Sequence, residues 1–100
     1  MIIHIEVKKS TPDREGMDSL LAVTTKTEFL TTPDDFANDL GKALYRVEQL
    51  GFSFTTAEIY EDVLAGYQTK ESTLKSGKFT NIYTLENEID QEVLKVSVSK

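Results

Sequence analysis

The chain contains no cysteine. That absence removes disulfides, zinc–thiolate centres and thiol nucleophiles together, and it fits a cytoplasmic location, which is the expectation. Histidine occurs once, at His4, and arginine twice, at Arg14 and Arg46. A lone imidazole assembles neither a catalytic triad nor a histidine metal site by itself, so His4 reads as a solvated or hydrogen-bonded residue of an N-terminal strand. Two guanidiniums and a net charge of −6 argue against nucleic acid and anionic membranes as partners, because both demand clustered Lys and Arg. No apolar run approaches the roughly 18 residues of a membrane span. MIIHIEVKK is short, places its charges after the apolar residues and lacks a small-residue cleavage site, so it is not a signal peptide. A strand is expected to begin almost at Met1, with no leader before it.

What is present describes one domain. One hundred residues, 39% hydrophobic and 28% charged, bury roughly two-thirds of their unfolded surface and fold alone. IIHIEVKK (2–9) alternates with period two and reads as a half-buried strand. STPDREG (10–16) is a polar turn. LLAVTTKTEFL (20–30) is β-branched and alternating, with Leu21, Val23, Thr25, Thr27 and Phe29 on one side, and reads as its hairpin partner.

TTPDDFANDLGKALYRVEQLG (31–51) carries both ends of a helix. Thr32 is the expected N-cap, Pro33 the first helical residue, and Asp34 and Asp35 suit the positive end of the dipole. Phe36, Leu40, Ala43, Leu44, Val47 and Leu50 form the buried stripe over about 120°. Gly51 closes the helix in the left-handed conformation. FSFT (52–55) reads as a short third strand. In TAEIYEDVLAGYQ the helical arc of Ile59, Tyr60, Val63, Leu64 and Tyr67, with a Thr55–Glu58 capping box, favours a second helix over an extended strand. TKESTLKSGK (69–78) is a polar connector. KFTNIYTL (78–85) and EVLKVSVS (92–99) are two further strands around an acidic turn. The order β-β-α-β-α-β-β predicts an α+β two-layer sandwich: an antiparallel-dominated sheet of about five strands with both helices on one face.

Beyond the buried stripe of helix one lie Ala37, Gly41 and Tyr45. A glycine inside a helix costs about 1 kcal/mol relative to alanine, which suggests a notch where another element approaches. Two occupants are open: a tyrosine or leucine of helix two, or a second protein meeting Tyr45 as an anchor. In LENEIDQE (85–92), Glu86, Glu88, Asp90 and Glu92 alternate with uncharged residues. If extended, they would share one edge at about 6.6 Å intervals. That edge suits a basic partner or discourages aggregation; the calcium-loop glycine and spacing are absent.

No nucleophile elbow or phosphate loop is present, and KSGK (75–78) is only a lysine-flanked turn. Asp34, Asp35, Glu58 and Asp62 are candidate carboxylate pairs that nothing singles out. Tyr60, Tyr67 and Tyr83 suit core packing more than a ligand pocket. The size, acidity and lack of catalytic groups resemble, in composition alone, small accessory, immunity and inhibitor proteins of bacteria and phages. The expectation is a non-enzymatic interaction module without a cofactor. Its partner is another protein or a second copy, met through Ala37, Gly41 and Tyr45 and through Glu86, Glu88, Asp90 and Glu92. The competing expectation is a small-ligand- or metal-binding domain, possibly a degenerate enzyme.

Overall fold

Two β-hairpins, one from each end of the sequence, lie side by side in a computed structural model that describes residues 1–12, 20–70, 79–89 and 91–100. β1 (Ile2–Pro12) pairs antiparallel with β2 (Leu20–Leu30), and β3 (Thr80–Asn87) with β4 (Glu92–Ser99). β1 and β4 then pair antiparallel, so the sheet order is β2-β1-β4-β3. Between the hairpins run α1 (Phe36–Glu48) and α2 (Thr56–Thr69). The protein is thus α+β, with a four-stranded, wholly antiparallel sheet.

Alternation in the strands decides which sheet face is covered. Ile3, Ile5 and Val7 of β1 stand opposite Val98, Val96 and Leu94 of β4, and all six are buried. The helices close this face with Phe36, Leu40, Ala43, Leu44 and Val47 from α1 and Ile59 and Val63 from α2. α1 rests over β1 and β2, and α2 over β3. The opposite face carries His4, Glu6, Lys26, Glu28 and Lys95.

The fifth strand expected at FSFT does not form. Residues 49–55 are a connection between the helices, in which Phe54 is buried and Phe52 half-buried. The physical reason lies in the backbone: the Ser53 N–H donates to the Glu92 side chain rather than to a strand ladder. β1 also runs further than expected, through the STP of the assumed turn to Pro12; the remainder of that turn, including Arg14, lies outside the described residues.

Helix one begins at Phe36 rather than Pro33. Its N-cap is Asp35, without a side-chain cap bond, and not Thr32; Thr32 instead closes the leading turn of residues 33–35, its Oγ1 accepting the Asp35 N–H at 3.2 Å. Gly51, at φ +95°, terminates it as expected. Helix two exists, but not through the Thr55–Glu58 box: no Thr55 side-chain cap bond forms. Instead the Glu48 carboxylate, from the last turn of α1, accepts the Thr56 N–H. A negative charge at the N-terminus of α2 suits its dipole. The helix–sheet spacing is set at Gly66, where an added Cβ would lie 2.0 Å from the Ile82 carbonyl oxygen.

Candidate functional site

The Ala37–Gly41 notch is met from within the chain. Tyr60 of α2 lies across it, its hydroxyl donating to the Ala37 carbonyl at 2.7 Å. A Cβ at Gly41 would stand 3.6 Å from the Tyr60 ring, an ordinary contact. Tyr45, 54% exposed, borders the same open depression of about 390 Å³ together with Ala37, Gly41, Lys42 and Tyr60. A groove of about 430 Å³ beside it runs between α1 and the end of β2. Asp39, Lys42, Ala43 and Arg46 recur at helical spacing and line one wall; Phe29 and Leu30 line the other.

The electrostatics of this groove differ from those of the chain as a whole. Asp39 is engaged, accepting the Thr31 hydroxyl at 2.7 Å. Lys42 and Arg46 are exposed and take part in none of the described ion pairs. Leu30 is 83% exposed. Along the same flank, β2 is the sheet edge, and its outward backbone groups meet no further strand among the described residues. Leu30, Lys42 and Arg46 escaped the sequence reading because only the pairing of β2 brings its end beside α1.

The acidic residues do not form a row. Glu86 is exposed on β3, Glu88 is exposed in the turn, and Asp90 lies outside the described residues. Glu92 is only 5% exposed and belongs to the covered face. Its carboxylate accepts the N–H of Ser53 at 3.0 Å and the Ser53 hydroxyl, and lies 3.3 Å from the Lys9 ammonium. Burial alone raises its pKa; the two Ser53 bonds and the Lys9 charge outweigh that and hold it below the ordinary glutamate value. The signal was in the alternation: positions 92, 94, 96 and 98 share one face. The turn at Gln91, with φ 51°, breaks parity with Glu86 and Glu88.

On the uncovered face, His4 sits between two neighbours. Its Nε2 is 2.6 Å from Ser99 Oγ, and its Nδ1 is 3.5 Å from a Glu28 carboxylate oxygen. Phe79 leans against the imidazole, with ring centroids 4.8 Å apart. The order hydroxyl–imidazole–carboxylate is that of a serine relay. The second distance exceeds the roughly 2.7–3.2 Å of an N–H···O bond, so the carboxylate does not fix the ring. His4, Phe79, Lys26, Lys95 and Ser97 border an open groove of about 410 Å³.

The remaining candidates are packing or surface groups. Tyr67 stacks on Phe36 at 3.7 Å, and Tyr60, Tyr67 and Tyr83 all pack against the core. Burial, with Asp62 adding to it, raises the Tyr83 pKa. Asp34, Asp35, Glu58 and Asp62 are exposed, and KSGK lies outside the described residues. Among the described residues no group of three His, Asp or Glu is placed to hold a metal ion, and no helix is long and apolar enough to cross a membrane. Compared with known proteins, the chain matches no family model, no curated protein and no solved structure.

Proposed function

We propose that the chain is a small, acidic, non-enzymatic protein-interaction module that meets its partner along the outer flank of α1 and the adjoining edge of the sheet. One observation carries this reading. Exposed Tyr45 and Leu30 stand beside Lys42 and Arg46, cations in none of the described ion pairs, on a groove walled on one side by the end of β2, which meets no further strand among the described residues. Tyrosine and arginine are the residue types enriched where protein surfaces bury each other. Ala37 and Gly41 seat Tyr60 and, with Tyr45 and Lys42, border a shallow depression on the same flank. Glu86 and Glu88 offer a second, purely electrostatic contact at the far hairpin.

The two contacts separate by salt. A partner held at Glu86 and Glu88 dissociates as ionic strength rises, whereas one held by Tyr45 and Leu30 persists. The test compares the parent with Tyr45→Ala in light scattering and in capture of complexes from a native lysate. Tyr45 is exposed, so the substitution shifts folding stability by no more than about 0.5 kcal/mol. Loss of complexes with an unchanged melting curve supports the reading. Unchanged complexes in a Tyr45→Ala, Leu30→Ser double variant sink it.

A further inference from the structure

Resting on that interaction reading, we propose that the partner at the β2 edge is a second copy of this chain. The two β2 strands add antiparallel about a dyad at Thr27 and make one eight-stranded sheet.

The argument starts from charge order across the uncovered face. In the pairing register, Lys95 of β4, Glu6 of β1 and Lys26 of β2 stand in one row. The Lys26 ammonium already reaches Glu6 at 3.8 Å. The row alternates plus, minus, plus, and then stops at the open edge. The neighbouring row runs from Ser97 through His4 to Glu28 and stops there with a negative charge. A second β2 placed antiparallel about Thr27 sets Lys26 opposite the partner's Glu28 and Glu28 opposite the partner's Lys26. Each row then continues across the dyad with alternating sign, and opposite charges directly across an antiparallel pair are favourable.

The same charges choose the register. A dyad perpendicular to the sheet requires residues of like face to oppose, so the nearest alternatives centre on Lys26 or Glu28. The first sets Lys26 against the partner's Lys26, and the second sets Glu28 against the partner's Glu28. Both bring like charges together. A lone lysine on an edge strand blocks association; a lysine and a glutamate two residues apart make that edge complementary to itself.

The covered side accepts this geometry too. Because α1 rests over β1 and β2, a strand spacing of about 4.8 Å carried across the dyad puts α1 and its copy about 10 Å apart, the separation of packed helices. The two helices run antiparallel there. The flank that lines the groove turns toward its copy, which brings Asp39 and Arg46 to opposite ends of the new contact.

Sedimentation equilibrium and light scattering on the intact chain test this with four samples. The parent forms a dimer at micromolar concentration. Lys26→Glu and Glu28→Lys each place two like-charge pairs in the contact and weaken the dimer about tenfold or more. An equimolar mixture of these two variants dimerises again, because each glutamate then faces a lysine; the double variant Lys26→Glu, Glu28→Lys does so alone. An unchanged circular-dichroism melt in each sample shows that folding is intact. The proposal is overturned by a monomeric parent, by single variants that dimerise like the parent, or by a mixture that stays monomeric. If the parent is monomeric while Tyr45-dependent complexes still form with other proteins, the homotypic edge fails and the wider interaction reading stands.

Discussion

The Glu92 carboxylate receives both the backbone N–H and the hydroxyl of Ser53, 39 residues earlier in the chain. One side chain on β4 thereby fixes the connection between the two helices, and Lys9 on β1 balances its charge. The native carboxyl is held below the ordinary glutamate value, so its stabilisation is fully present above the unfolded pKa of about 4.3 and is lost as pH falls through the lower native value. Replacing Glu92 by Gln removes the charge while keeping an acceptor. The expected cost at neutral pH is roughly 1–3 kcal/mol, read from urea midpoints. The gap from the parent should narrow below about pH 4. An equal gap at all pH values would show that the charge contributes nothing.

Two helical glycines should respond oppositely to alanine. At Gly66 the new methyl meets the Ile82 carbonyl oxygen at 2.0 Å, backbone against backbone, and α2 must lift from β3. The overpacking cost of roughly 1–3 kcal/mol or more exceeds the gain of about 1 kcal/mol in helix propensity. At Gly41 the methyl finds only the Tyr60 ring at 3.6 Å, so propensity prevails. Gly66→Ala should lower the melting temperature and Gly41→Ala should raise it or leave it unchanged. A stabilising Gly66→Ala would show that the α2–β3 spacing is not set there.

These residues also show what was legible in the sequence. Regular periodicity was: the 3.6-residue recurrence from Phe36 to Val47 and the alternation of Ile3, Ile5 and Val7 both mark buried faces, although Leu50, expected in the same stripe, lies past the helix end and is exposed. Local patterns that depend on distant partners were not. Phe52 and Phe54 alternate as a strand would, yet Ser53 between them is claimed by Glu92. Thr55 and Glu58 have capping-box spacing, yet Glu48 supplies the carboxylate. Gly41 and Gly66 are both glycines among helix-formers, and only the packing tells that the layers touch at Gly66 and not at Gly41. Glu92 reads in sequence as one of an acidic edge with Glu86, Glu88 and Asp90, yet it is buried on the core face, where its parity with Leu94, Val96 and Val98 puts it. Of the candidate surface, Tyr45 was legible as surplus on a full helix, whereas Leu30, Lys42 and Arg46 needed the strand pairing.

The loop at residues 49–55 separates packing from secondary structure. Phe54 is only 4% exposed and belongs to the core cluster, although it sits in neither helix nor strand; Phe52 packs against that cluster from outside. Truncation at a buried phenylalanine removes its transfer free energy and leaves a cavity. Phe54→Ala should therefore cost about 3–5 kcal/mol. Phe52→Ala leaves a half-open site that water refills, and should cost less than half as much. Were FSFT a strand lying on the sheet edge, both phenylalanines would point to the same side and the two costs would be similar. Chemical denaturation of the two variants decides between these arrangements. A Phe52→Ala penalty equal to that of Phe54→Ala would mean that the loop packs as a strand after all, and that Glu92 does not determine its path.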